Sequence, residues 1–123
     1  MIFITGGIGS GKRGFVLDEL GFAEEELSRD PGTDAPVLLD FHELIREKGP
    51  LENDLRELLL KKEVVVCDEV GCGVVPIGAE ERAWRDDVGR AATSLAREAS
   101  VVVRMVCGLP QVVKGTLEGG RNA

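Results

Sequence analysis

The sequence is poor in the side chains that build metal centres, and it has no long apolar run. It contains one histidine, His42, and three cysteines at positions 67, 72 and 107, which form no C-x-x-C pair. Because this spacing matches no zinc pattern, we do not expect a zinc site. No apolar stretch approaches the roughly 20 residues that cross a bilayer. The sequence therefore predicts a protein without a membrane partner.

Basic residues are also scarce relative to acidic ones, 15 against 22, which gives a formal charge of −7. A negative surface repels the nucleic-acid backbone, so no nucleic-acid partner is expected. No basic residue precedes the apolar N-terminal stretch, so we expect no secretory signal and predict a cytoplasmic location. Cys67 and Cys107 lie in apolar runs, which predicts buried, reduced thiols in that compartment.

Length and patterning predict one α/β domain. A chain of 123 residues supports one hydrophobic core, so we predict a single domain over 1–123 with 108–123 as a C-terminal arm. Apolar runs alternate with helical patterns, which indicates a mainly parallel sheet covered by helices on both faces. Residues 22–27 either prolong the first helix or form a separate acidic turn, and 28–36 form a surface loop. The predicted strands cover 1–5, 37–40, 64–68 and 101–106, and the predicted helices cover 12–20, 51–62 and 79–98.

A glycine-rich stretch, "GGIGSGKRG", follows the first apolar run. It fits the phosphate-loop pattern G-x-x-x-x-G-K-[ST] at Gly6, Gly11 and Lys12. Glycines allow the backbone to turn its N–H groups inward as an anion-sized nest, and Lys12 can reach the terminal phosphates of a nucleotide. A glycine-rich turn without a ligand is the alternative, and we favour nucleotide binding, with ATP or GTP as the ligand. The predicted phosphate-binding residues are Gly6, Gly7, Gly9, Ser10, Gly11, Lys12 and Arg13.

The pattern fails at Arg13, where serine or threonine normally provides a hydroxyl oxygen to Mg²⁺. Arginine has no acceptor atom and stays charged, so it cannot replace that ligand. The side chain must either turn away or serve as a counter-charge to phosphate. The change leaves phosphate binding intact and weakens the case for Mg²⁺ as a cofactor.

Two apolar runs end in a carboxylate at Asp40 and Asp68, and Glu69 follows the second. In parallel sheets, ligands bind at the carboxyl ends of the strands, where the glycine-rich stretch also lies. Asp40 and Asp68 are therefore candidate Mg²⁺ ligands, and Glu69 and Lys12 are candidate catalytic residues. Each acid could instead cap the next turn or helix. The sequence does not indicate which strand lies beside the loop.

The stretches "EVGCGVVP", "RAWRDDVGRAATSLA" and "VVVRMVCGLPQVVKG" resemble the bifunctional adenosylcobinamide kinase/adenosylcobinamide-phosphate guanylyltransferase family. "GGIGSGKR" is similar to the N-terminal loop of that family. The resemblance implies a P-loop NTPase fold of RecA-like type with three layers, reduced in size. It also implies a role in cobalamin biosynthesis or corrinoid salvage, adenosylcobinamide as a partner and assembly as a trimer.

The resemblance also implies roles for individual residues. Gly6, Ser10, Gly11 and Lys12 would hold nucleotide phosphates. The long helix would shape the site or the interface, although core packing is the better interpretation for Trp84, and an ion pair is an equal alternative for Arg85 and Asp86. The loop beside the nucleotide would be formed by Glu69, Gly71, Gly73 and Pro76, with Gly71 as a further nucleotide-binding residue.

The sequence departs from the family pattern in several places. Serine is replaced by Arg13, an Asn-Gln pair by Ala92-Thr93, and Asn-Glu by Asp68-Glu69. Only residues 21–35 fill the space where the family has a strand, a further strand and the helix with the guanylylated histidine. We therefore expect the guanylyltransferase half to be absent.

These departures leave two main functions open, with a different small-molecule kinase on the same scaffold as a third and weaker alternative. The chain is either a compact adenosylcobinamide kinase or a non-catalytic paralogue that binds nucleotide or corrinoid. His42 follows the acid-ending run directly, so we interpret it as a loop or helix-cap residue, with nucleophilic catalysis as the lesser alternative.

Overall fold

A computed structural model describes residues 1–70 and 78–117 and contains an α/β fold built on one six-stranded sheet. The strand order is β2-β3-β4-β1-β5-β6, and each neighbouring pair is parallel except β5 and β6. The α/β class and the mainly parallel sheet are therefore confirmed. The strands are β1 (Ile2–Gly6), β2 (Leu27–Ser28), β3 (Val37–Leu38), β4 (Val64–Asp68), β5 (Val101–Val106) and β6 (Leu109–Lys114), and the α-helices are α1 (Lys12–Gly14), α2 (Phe41–Lys48), α3 (Asn53–Leu60) and α4 (Ala79–Glu98).

The central strand is β1, which pairs with β4 on one side and β5 on the other. Gly6, its last residue, lies opposite Asp68 of β4 and Met105 of β5. Because all three strands run the same way, their carboxyl ends meet at one edge of the sheet. The chain segment after β1 therefore begins directly beside the acidic end of β4.

The two faces of the sheet are covered by different helices. Helices α2, α3 and α4 pack on one face through residues such as Ile45, Leu59 and Leu95, which are almost fully buried. The segment after β1 packs on the other face through Phe15 and Val16. Alternate side chains of each strand point to opposite faces, so the continuous apolar runs of β1 and β4 serve both layers. The prediction of helices on both faces is confirmed.

The helix predicted over 12–20 has mixed geometry. Its first turn is α1, and Phe15–Glu19 continue as a wider π-helical turn. Leu20 closes this segment, and Gly21 then adopts a φ of 80°, a left-handed conformation that suits glycine. The position of the helix agrees with its apolar spacing, whereas the widening of its second half does not follow from that spacing.

The region between the first helix and α3 differs most from the prediction. Glu24–Glu26 form a 3-10 turn, so the acidic-turn alternative is correct, and Leu27–Ser28 add the unpredicted strand β2. Strand β3 ends at Leu38, two residues earlier than predicted. Helix α2 was not predicted, and it makes His42 a buried residue of a first helical turn. Phe41, Leu44 and Ile45 have helical spacing, which is the signal that identifies this helix.

The segment predicted as a C-terminal arm contains a strand. Leu109–Lys114 form β6, which pairs antiparallel with β5 at the edge of the sheet. Cys107 and Gly108 make the tight turn between these strands, both with positive φ. Cys107 is therefore exposed, and the expectation that it is buried is wrong. Within the described residues, no helix is long and apolar enough to cross a membrane.

Candidate functional site

The glycine-rich loop between β1 and α1 needs glycine at two positions for steric reasons. Gly6 has a φ of 154°, and a Cβ there would lie 2.6 Å from the Ser10 Oγ and 2.8 Å from the Met105 carbonyl oxygen. Gly11 has a φ of 95°, and a Cβ there would lie 3.0 Å from the Cα of Gly108. The backbone N–H of Gly108 donates to the Ser10 carbonyl at 2.8 Å. The turn between β5 and β6 therefore packs against the loop.

Lys12 lies at the centre of the loop, and its side chain is only 8% exposed. Its Nζ donates to the carbonyl oxygens of Gly6 at 3.0 Å and Gly7 at 2.6 Å, and lies 3.3 Å from the Ser10 Oγ. Its ion pair with Asp68 has an Nζ–Oδ1 distance of 2.8 Å. A buried ammonium needs such oxygen partners because burial removes its water shell. A phosphate that binds to Lys12 must therefore compete with these oxygens.

Asp68 joins the loop to α2 through His42. Its Oδ1 faces Lys12, and its Oδ2 lies 3.4 Å from the His42 Nε2. The Asp68 backbone N–H donates to the His42 Nδ1 at 3.1 Å. This arrangement exists because β4 lies next to β1, a strand order that the sequence does not reveal. Sequence reasoning left His42 outside the site, whereas the structure brings it into contact with Asp68.

Glu69 forms a bidentate ion pair with Arg104 of β5. Its Oε1 lies 2.7 Å from the Arg104 Nε, and its Oε2 lies 3.2 Å from the Arg104 Nη2. The Glu69 backbone N–H donates to the Gly6 carbonyl at 2.9 Å, which extends the pairing of β4 with the start of the loop. Because β1 lies between β4 and β5, the pair bridges the end of the central strand. Arg104 was missed in the sequence, although it is the one charged residue in the apolar run of β5.

Arg13 points away from the loop. Its side chain is more than half exposed and forms an ion pair with Glu24 of the 3-10 turn. Of the two alternatives for this residue, the structure has the one in which the side chain turns away. Neither Arg13 nor Glu24 provides a hydroxyl oxygen at the position where Mg²⁺ coordination needs one.

Asp40 is separated from the loop by β4. Its Oδ2 pairs with the Arg29 Nε at 2.5 Å, and its backbone has a φ of 56° at the start of α2. The structure therefore does not bring the two candidate Mg²⁺ ligands together, because Asp68 faces Lys12 and Asp40 faces Arg29. Among residues 1–70 and 78–117, no three histidine, cysteine or acidic side chains form a cluster that could hold a metal ion. Of the two candidate ligands, only Asp68 lies beside the glycine-rich loop, and its carboxylate is paired with Lys12.

Residues 71–77, which include the predicted Gly71, Gly73 and Pro76, lie outside the described residues. Trp84 lies in the described part of the long helix α4 and packs partly against the core, as its packing interpretation predicts. Its Nε1 donates to the His42 carbonyl at 2.8 Å. Arg85, Asp86 and Gly89 line an open groove of about 760 Å³ that Arg56 of α3 also lines.

Cys67 precedes Asp68, and the pKa of its thiol indicates that water is largely excluded from the end of β4. Burial raises the pKa of its thiol from 9.0 to about 12, and the neighbouring Asp68 carboxylate adds to the shift. Burial of this cysteine agrees with the expectation from its apolar run. The thiol is therefore protonated at neutral pH and is not a nucleophile there.

Residues 42–113 match the protein family described as cobinamide kinase/cobinamide phosphate guanyltransferase. The match covers more than half of the chain. The chain belongs to this family. It is a short member of the cobinamide kinase family, and the predicted resemblance of its C-terminal motifs to that family is thereby confirmed. No curated protein matches the chain.

Membership in the cobinamide kinase family gives the chain a function of the cobinamide kinase/guanyltransferase type in cobalamin biosynthesis. The family acts on nucleotides and cobinamide and has a P-loop fold, which agrees with the observed sheet. The matched residues include His42, Asp68, Glu69 and Arg104. They begin after the glycine-rich loop, so the interpretation of Lys12 depends on the loop geometry described above.

Proposed function

We propose that this chain binds ATP or GTP through its glycine-rich loop and transfers the terminal phosphoryl group to adenosylcobinamide. The observation that carries the proposal is the buried ammonium of Lys12, which lies among loop oxygens beside the carboxyl end of the central strand. An ammonium at this place offers a positive charge to a phosphate that enters the loop. Family membership supports the class of nucleotide and acceptor.

In the proposed reaction, the acceptor hydroxyl oxygen bonds to the terminal phosphorus while the bond from that phosphorus to the bridging oxygen of the nucleotide breaks. The hydroxyl proton passes to solvent, and the nucleoside diphosphate leaves. Lys12 moves from Asp68 to the phosphates and neutralises charge on the transferred group. Ser10 and the loop N–H groups hold the phosphates, and the Glu69–Arg104 pair orients the acceptor. No step depends on the guanyltransferase half.

The proposal has further parts. The whole chain acts as one nucleotide-binding domain, and Gly108, the first residue of the segment 108–123, contributes to the turn that packs on the loop. We also propose that the protein works in the cytoplasm and assembles as a trimer, which sedimentation equilibrium would test.

A non-catalytic nucleotide-binding paralogue is the second candidate, and Arg13 favours it. This residue replaces the hydroxyl that phosphoryl transfer with Mg²⁺ normally uses, and its side chain pairs with Glu24. Nucleotide binding through Lys12 is common to both candidates. The difference between them is therefore a matter of chemistry and not of affinity.

Calorimetry with ATP and GTP, each with and without Mg²⁺, tests nucleotide binding. We expect micromolar affinity, little effect of Mg²⁺, and a loss of at least about 100-fold in Lys12→Met. Arg13→Met is the matched control because it also removes one positive charge, and we expect it to bind within about threefold of wild type. Absence of heat with both nucleotides would refute the binding proposal.

An Arg13→Ser variant separates the two candidates. If the wild type phosphorylates adenosylcobinamide with radiolabelled ATP, the kinase proposal holds and the non-catalytic candidate is wrong. If only Arg13→Ser is active, and only with Mg²⁺, the wild type is the binding paralogue.

A further inference from the structure

His42 is a buried residue with a polar side chain. Its side chain is 8% exposed and lies at the start of α2, across the end of β4. Its Nδ1 accepts a hydrogen bond from the Asp68 backbone N–H at 3.1 Å. Its Nε2 lies 3.4 Å from the Asp68 Oδ2 and 3.8 Å from the Glu43 Oε1. Both ring nitrogens therefore face Asp68.

This geometry fixes the tautomer of the imidazole. A ring nitrogen that accepts a hydrogen bond from a backbone N–H cannot carry a proton itself, so Nδ1 is deprotonated. In a neutral ring the proton is then on Nε2, which faces the carboxylate. His42 is arranged as a hydrogen-bond donor to the same carboxylate that holds Lys12.

Contacts with α4 keep the ring in place. The Trp84 Nε1 donates to the His42 carbonyl at 2.8 Å, and the Arg46 guanidinium lies 3.6 Å from the centre of the Trp84 ring. Arg46 in turn pairs with Glu81 at 2.9 Å. The first turn of α2 is thus attached to α4, which limits the motion of His42 relative to β4.

We propose that His42 is a positioning residue of the phosphate site and is the partner that Asp68 retains when Lys12 turns to a bound phosphate. The inference rests on the proposed nucleotide binding. In the structure the Oδ1 of Asp68 pairs with Lys12 at 2.8 Å, and the Oδ2 is at the longer distance of 3.4 Å from the His42 Nε2. When phosphate takes the ammonium, the carboxylate loses its main partner in a place where only 20% of its side chain is exposed. The Nε2–H of His42 then stabilises the released carboxylate, because a partly buried anion needs a donor.

Nitrogen NMR of the imidazole tests the first part of the proposal without a nucleotide. The chain has one histidine, so the spectrum contains a single pair of ring nitrogens. We expect the free protein at pH 8 to show protonated Nε2 and bare Nδ1. A spectrum with the proton on Nδ1 would overturn the proposal. Upon saturation with ATP, we expect the Nε2 signal to shift as its hydrogen bond to Asp68 shortens.

Substitutions of His42 test the second part through ATP affinity without Mg²⁺. His42→Ala removes both contacts and should weaken binding about 10-fold. His42→Gln keeps an N–H donor near the Nε2 position and should restore affinity to within about threefold. His42→Asn keeps an acceptor near the Nδ1 position only and should resemble His42→Ala. Glu43→Gln is the control for the other neighbour of Nε2, and we expect a change of less than about twofold.

A double-mutant cycle with Asp68→Asn shows whether His42 acts through the carboxylate. In that background, His42→Ala should change ATP affinity by less than about twofold, because no released carboxylate needs a donor. An equal loss in both backgrounds, or equal affinities of the glutamine and asparagine variants, would overturn the proposal. Thermal unfolding of each variant shows whether a loss of affinity is a loss of fold. If ATP does not bind the wild type, the proposed function fails, whereas the tautomer measurement still decides the geometry of His42.

Discussion

Strand β4 ends in an aspartate, Asp68, and the apolar run that contains β3 ends in another, Asp40. The two carboxylates have different surroundings. Asp68 is 20% exposed and contacts Lys12 and His42, both of which are buried. Asp40 is 36% exposed and contacts Arg29, which is 71% exposed. The neighbouring strand makes the difference, since β4 pairs with β1 and β3 does not. The same sequence pattern therefore produces a member of the loop site in one case and a surface ion pair in the other.

The largest expected effect distinguishes the two ion pairs by stability. Lys12→Met leaves Asp68 without its ammonium and should lower the free energy of unfolding by about 2–3 kcal/mol. Arg29→Met removes the partner of Asp40 and should change it by less than about 0.5 kcal/mol, because that pair is solvated. Urea unfolding measures both. Equal losses would show that the two acids have equivalent surroundings.

A second prediction compares the acids by their effect on nucleotide affinity. Asp68→Asn removes the anion that competes for Lys12 and repels phosphate, so ATP without Mg²⁺ should bind about 10-fold more tightly. Asp40→Asn should change the affinity by less than about twofold. Calorimetry on the two isosteric variants gives the comparison directly. Weaker binding by Asp68→Asn would mean that this carboxylate holds the ligand and does not compete with it.

The smallest expected effect is on the pH dependence of stability, and it comes from the exclusion of water at the end of β4. The pKa of Cys67 is about 12 in the folded protein, above its ordinary 9.0, so the unfolded chain loses this proton first as the pH rises. Stability is therefore lost between about pH 9 and 12. Between pH 8 and 9.5, ionisation of this thiol in the unfolded chain should lower the free energy of unfolding by about 0.8 kcal/mol.

Urea unfolding of Cys67→Ala at these two pH values tests this contribution. The variant should lack that part of the pH dependence, whereas Cys107→Ala should keep it because its thiol is exposed. The chain has no tyrosine, so no phenol group titrates in the same range. An identical slope in wild type and Cys67→Ala would show that the end of β4 is hydrated.

The parts of the fold with strong local patterns were predicted from the sequence. Helix α4 and strand β5 have the predicted bounds, because Val88, Ala91 and Leu95 repeat on one helical face and β5 is almost wholly apolar. Helix α2 was missed because a carboxylate, a histidine and several charged residues interrupt its short apolar pattern. Strand β2 has two residues, which is too short for a period to be visible.

The candidate site was predicted only in part because its contacts depend on strand order. The loop and Lys12 follow from a local pattern, whereas the pairing of Lys12 with Asp68 requires β4 to lie beside β1. The contact of His42 with Asp68 requires both this order and α2. The direction of Arg13 depends on Glu24, which the 3-10 turn after Gly21 brings into reach.

The hydrogen bond from Gly108 to Ser10 has a consequence for the order in which parts of the chain fold. The loop follows β1, whereas the turn that packs on it joins β5 and β6, which lie far along the sequence from β1. Contacts between residues so far apart in sequence form late because closing a long loop costs entropy. The glycine-rich loop therefore reaches its final shape only after β5 and β6 have joined the sheet.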